Sequence, residues 1–202
     1  MKNKTRFIFI LIFWNLISFA SEPKGQYLGE KPPGEIPKIF GADFISTADV
    51  SEFSCCFSQD GTEFYFARRI SKKKFTIYWT KMSDNGWSPP KIAAISGTYF
   101  NHEPYISKDN QTIYWGSVRP LPSGKEKYAL WQAERVQDGW NNIKPFTFNG
   151  MYITDTKNGV IYFTDRGPGG GCIARIIETK DGIVKERLPK PVLSDYWDAH
   201  PC

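Results

Sequence analysis

The chain has 202 residues, 41% hydrophobic and 16% aromatic, with 17 glycines, 14 prolines and a formal net charge of +5. Lys2, Lys4 and Arg6 carry three of those charges and no acid stands among the first 20 residues, so the remainder carries only +2. Apart from Lys72-Lys73-Lys74, which reads as a solvated hairpin tip, the cations are interspersed with acids; there is no basic stripe for nucleic acid or an acidic membrane surface.

Behind the three N-terminal cations runs an apolar stretch, FIFILIFWNLISFA, closing on Ser18-Phe19-Ala20. A cationic flank, a short apolar run and small residues at its end mark a secretory signal peptide over 1–20. The run is shorter than the roughly 20 residues a bilayer span needs, so no span is expected after cleavage. A periplasmic or secreted location follows. Residues 21–50 read as an extended lead-in, rich in proline and glycine in YLGEKPPGEIP. Within it, Pro37-Lys38-Ile39-Phe40 matches Pro90-Lys91-Ile92-Ala93 further on and is expected to form an outer strand that closes a ring.

From residue 51 the chain repeats. CCFSQDGTEFYF (55–66) aligns with PYISKDNQTIYW (104–115) and with YITDTKNGVIYF (152–163), placing Tyr65, Tyr114 and Tyr162 at intervals of 49 and 48 residues. A second half aligns IYWTKMSDNGWSPPKI (77–92), LWQAERVQDGWNNIKP (130–145) and IARIIETKDGIVKERL (173–188). Asp60-Gly61, Asp109-Asn110 and Asn158-Gly159 supply residues that accept the positive φ of a tight hairpin, and DNGW, QDGW and KDGI supply a second such turn. Asp60 is therefore read as a turn residue rather than a catalytic one. Each unit holds four short antiparallel strands, and the units run 51–98, 99–146 and 147–194, with the next starting at 195. The fold class is all-β. A period near 48 residues with four strands is the size of one β-propeller blade.

Glu103-Pro104-Tyr105-Ile106-Ser107-Lys108-Asp109-Asn110, Ser58-Gln59-Asp60-Gly61 and His200-Pro201 resemble the TolB-like or WD-repeat-like propeller motif, whose core reads Pro, an apolar residue, Ser-Pro-Asp-Gly and a strand. The resemblance covers about 150 residues of the chain. It implies three complete blades and the start of a fourth, an open arc from a ring that in this family has about six blades. On that reading the chain is a fragment whose open blade edges favour self-association. The aspartate box of sialidase propellers does not fit, because Asp60 and Gly61 lack the residue that separates them there.

One position stands out for function. Glu52, Asn101, Asn149 and Asp198 recur at intervals of 49, 48 and 49 residues, each with a side-chain oxygen at the approach to an inner strand. The two histidines, His102 and His200, lie beside them, as does Glu103. These residues are either backbone hydrogen-bonding partners or a polar ligand site at the mouth of a central channel. His, carboxylate and amide are donors a divalent metal accepts, but no ligand spacing marks such a site, and no metal or cofactor is assigned. The repeated aromatics, including Tyr65, Trp79, Trp115, Trp131 and Phe163, read as packing between blades. Gly167-Pro168-Gly169-Gly170-Gly171 has no helix behind it to make a phosphate cradle. No Gly-x-Ser-x-Gly elbow or coupled triad occurs, so no catalytic residue is assigned. Cys55, Cys56 and Cys172 read as small buried side chains; Cys202 is the last residue. The expectation is an exported scaffold that binds a protein or small molecule at its channel face without catalysis. The alternative is the accessory or catalytic propeller of an exported hydrolase acting on peptides or glycans.

Overall fold

The computed structural model describes residues 23–201 apart from 33, 73, 125–127, 138, 169 and 170. The signal-peptide reading of 1–20, Lys73, Gly169, Gly170 and Cys202 lie outside the described residues. The chain is all-β. Three antiparallel sheets follow one another, each built from strands consecutive in sequence.

The first sheet holds β1 (Glu52–Phe57), β2 (Glu63–Ser71) and β3 (Lys74–Ser83), with a fourth strand broken into β4 (Gly86–Trp87) and β5 (Lys91–Ile92), both paired to β3. Ser88-Pro89-Pro90 makes the break, since proline offers no N–H to a ladder. The second sheet is β6 (Asn101–Ile106), β7 (Thr112–Ser117), β8 (Ala129–Val136) and β9 (Gly139–Pro145). The third is β10 (Gly150–Asp155), β11 (Ile161–Asp165), β12 (Cys172–Thr179) and β13 (Gly182–Arg187). Among the described residues no α-helix occurs, and none is long and apolar enough to cross a membrane.

Both expected turns of each unit form. Gly61, Asn110 and Gly159 take φ of 69°, 61° and 78° in the first, and Gly86, Gly139 and Gly182 take 116°, 129° and 117° in the second. Asp60 Oδ1 accepts from Ser58 Oγ, Thr62 N and Thr62 Oγ1 at 2.5, 3.0 and 2.8 Å. Asp109 does the same for Ser107 Oγ and Gln111 N. These carboxylates tie off hairpins.

Alternation along the second strand of each sheet sends successive residues to opposite faces. Tyr65 of the first sheet joins Ile106, Ile113, Trp115 and Trp131 of the second in one core. Tyr114 and Leu130 face the other way and pack on Ile153, Phe163 and Ala174 of the third. Polar latches reinforce both junctions. Arg135 Nη1 donates to buried Glu63 at 2.7 Å while its guanidinium lies 3.9 Å from the Trp140 ring centroid, and Trp140 Nε1 donates to Tyr65 Oη at 2.9 Å. Asp155 accepts from Tyr105 Oη at 2.6 Å and from Lys108 N at 3.0 Å.

The outer face of the first sheet, with Phe64, Phe66 and Trp87, is covered by Leu28, Phe40, Phe44 and Ile45. The expected closing strand at residues 37–40 does not form: these residues pair with no strand, Ile39 is exposed, and Phe40 packs on Phe57 and Phe64. The lead-in is a loop cap because its prolines and glycines suit an irregular path and its aromatics match an apolar face. Trp87 holds the cap, its N–H donating to Pro23 O at 2.9 Å and its Nε1 to Gly25 O at 2.7 Å. With its side chain fully buried, Trp87→Ala is expected to lower stability by about 3–5 kcal/mol in urea denaturation, and to expose the 23–50 segment to limited proteolysis before the rest unfolds.

Candidate ligand cleft at the inner strands

The first strand of every sheet carries one extra residue. The β1–β2 register shifts between Phe53 and Cys55, β6–β7 between His102 and Tyr105, and β10–β11 between Met151 and Ile153. The residues at these bulges, Ser54, Glu103 and Tyr152, are left-handed with φ of 50°, 55° and 51°, and His200 repeats the conformation at 59°. Such bulges ordinarily take glycine, and a non-glycine residue in this region costs about 1–2 kcal/mol. Three successive sheets carry that strain on three different side chains, and His200 carries it outside any strand.

All four line one cleft of about 460 Å³, whose walls also include Phe53, Pro104 and Pro201. Tyr152 and His200 stack with ring centroids 3.5 Å apart. Behind Glu103, the His102 ring packs between Phe53 and Tyr128, at 5.9 and 5.2 Å, and Phe100 meets it edge-on. Tyr128 lies so close over Gly116 that any Cβ there would collide with its hydroxyl, which is why the strand carries glycine at that point. His102 Nδ1 is 3.4 Å from Glu103 Oε1. Among the described residues, His102 Nδ1, Glu103 Oε2 and Tyr128 Oη are buried without a hydrogen-bond partner. Burial first, then the Glu103 carboxylate, push the phenols of Tyr128 and Tyr152 upward from their usual range, while Arg166 works the other way.

The seven residues singled out in the sequence divide. Glu103 and His200 line the cleft and His102 stands directly behind it. Glu52 accepts from Arg68 Nε at 2.8 Å and from Thr47 Oγ1 at 3.1 Å. Asn101 is fully buried: its amide donates to Ser96 O and Tyr99 O at 2.8 and 2.6 Å, and its oxygen accepts from Trp115 Nε1 at 3.2 Å. Asp198 accepts from Ser194 N and Oγ, both at 2.8 Å. None of these three is a cleft-lining residue. Asn149 is exposed, its Nδ2 3.4 Å from Arg166 O, and it lies one residue out of register. Glu52 pairs with Arg68, Asn101 with Ser117, and Gly150 with Asp165, so Gly150 is the structural counterpart. A side chain there is excluded, because a Cβ on Gly150 would sit 2.5 Å from the Phe163 ring. In the third sheet the oxygen has moved across the strand pair to Asp165.

Ser54 and Tyr152 were not legible as site residues, since nothing in their identity marks a left-handed bulge. The cysteine expectation needs correcting at one position: Cys172 is buried and Cys56 half-buried, but Cys55 is exposed at the cleft wall. The bulge at Ser54 resets the in-out alternation just before it. Among the described residues no group of three His, Cys, Asp or Glu is placed to hold a metal ion. No protein family and no curated protein matches the chain.

Two outcomes follow for the residues beside the cleft. Asn101→Ala strips partners from two carbonyls and an indole N–H, so a loss of about 2–3 kcal/mol is expected in chemical denaturation. Asp165 is fully buried, which by itself would raise its pKa, but Lys185 at 2.6 Å, Gly167 N at 3.0 Å and Arg187 at 3.1 Å outweigh burial and hold it below the usual value. A depressed carboxyl stabilises the fold above its unfolded pKa of about 3.9, and that contribution is lost as pH falls through the folded value. Denaturation midpoints should therefore drop below about pH 4 in the native chain, and more shallowly in Asp165→Asn.

Proposed function

We propose that the chain is an exported binding scaffold of propeller type, with no catalysis of its own, whose ligand occupies the cleft between the inner strands. The observation that carries the reading is the convergence of Ser54, Glu103, Tyr152 and His200 on one concavity. Backbone strain repeated on non-glycine residues, with the side chains aimed at a shared space, is retained where those side chains are used. Glu103 Oε2, buried without a partner on a residue that lines the cleft, adds support, because it costs stability that a bound group can return. The four-stranded sheets packed in series and the resemblance to TolB-like repeats support the propeller reading. The cation-flanked apolar run at 1–20 supports a periplasmic or secreted location. A small molecule or a protruding group of a protein fits a cleft of this size.

A ligand-observed NMR screen of a small-fragment collection against the chain tests the reading. Fragments that bind are expected to lose contact in a Tyr152→Ala/His200→Ala variant that keeps its melting temperature. Hits that bind the double variant unchanged, or a screen without hits, would sink it.

A further inference from the structure

The cleft's own chemistry narrows the ligand, on the reading that it is a binding site. Among the described residues that line it, Glu103 is the only one with a carboxylate side chain, and none is lysine or arginine. Its side chain is 16% exposed and Oε2 is screened from solvent with no donor facing it. A carboxylate in that state is destabilised until a donor arrives, and a charged donor repays it best. His102 does not supply one: it is 9% exposed, and its Nδ1 reaches only Oε1, at 3.4 Å. Most of the remaining wall is aromatic or apolar, from Phe53, Pro104, Tyr105, the stacked Tyr152–His200 pair, Ile153 and Pro201, with Ser54 and Cys55 beside them. Aromatic faces beside a carboxylate attract an organic cation through both charge and ring quadrupole, and favour one that carries hydrocarbon over a hydrated metal ion.

We infer that the cleft takes a primary alkylammonium group, its charge and N–H donors held by Glu103 and its hydrocarbon by Phe53, Tyr152 and His200. One cation stands near. Arg166 lies 5.2 Å from the Tyr128 ring centroid, but it is exposed and outside the lining, where water and salt screen it.

Three isosteric probes test the inference on the chain by calorimetric titration at one ionic strength: n-butylammonium, n-butanol and n-butyrate. The amine is expected to bind at least tenfold more tightly than the alcohol or the acid. Glu103→Gln, which keeps shape and left-handed backbone, should weaken the amine about tenfold and leave the alcohol unchanged. Tyr152→Leu should weaken it about fivefold, the size of one cation–π contact. N-acetyl-lysine methylamide compared with cadaverine then separates a peptide-borne lysine from a free amine, tighter binding naming the source. Equal binding of all three probes, tighter binding of butyrate, or an unchanged amine affinity in Glu103→Gln overturns the cation assignment while leaving the cleft as a ligand site. If no probe binds, this assignment fails, and the fragment screen alone decides the cleft.

Discussion

A four-stranded sheet that is apolar on both faces cannot be stable alone, and that constraint organises this molecule. Phe64 and Phe66 point one way from β2 while Tyr65 and Ala67 point the other, and all four are buried. Neither face can be left in water: the side chains of Phe64 and Phe66 alone are worth about 2–3 kcal/mol each on burial. The second sheet therefore covers one face and the lead-in covers the other. The same logic passes to Trp115 and Tyr114 on β7, which serve the junctions on either side of the second sheet. Stability is shared between neighbours rather than owned by units, as in other stacked repeats. The lead-in acts as a terminal cap whose Leu28, Phe40, Phe44 and Ile45 stand where a further sheet would supply its own aromatics.

Packing in series fixes the inner strands, and that is what makes the bulges useful. Residues at the centre of β1, β6 and β10 pair on one side with the second strand and pack against the adjacent sheet, so their positions are determined twice over. Inserting one left-handed residue there costs little in cooperativity, because the pairing resumes within a residue on either side. The extra residue leaves the pleat. Its side chain belongs to neither face and is sent into the space between inner strands.

The parts legible in the sequence were those with a local chemical signature. Positive-φ turns need glycine or asparagine, and Gly61, Asn110 and Gly159 stood in the text of the chain as they stand in the fold. Four strands per unit and the burial of Tyr65, Trp115 and Phe163 followed from the same spacing. The bulges had no such signature, because Ser54, Glu103 and Tyr152 replace the glycine that would have announced them. This also explains the slip at Asn149. Aligning by side-chain oxygen selects Asn149, whereas the ladder selects Gly150, which has no side chain to compare; the functional group had crossed to Asp165. The lead-in misled for a related reason. Pro37-Lys38-Ile39-Phe40 shares letters with the outer strand of the first sheet, but it pairs with no strand, and Phe40 packs on that sheet's apolar face instead.

A division of labour between residues explains why the candidate site lies where it does. Strand positions are constrained by their neighbours in the ladder, so substitution there is punished, as the closeness of Gly116 to Tyr128 and of Gly150 to Phe163 makes plain. Turn positions are constrained by φ. The bulge residue is constrained by φ on its backbone, and its side chain enters no inter-sheet core but faces the cleft, where Tyr152 stacks on His200. Freed from the ladder and the core, that position reads Ser54, Glu103 and Tyr152 in the three sheets, and His200 takes the same backbone conformation beyond them. The hairpin turns and the aromatic core positions recur from sheet to sheet, and the rigid strands they hold give these cleft-facing side chains the positional precision that a binding site needs.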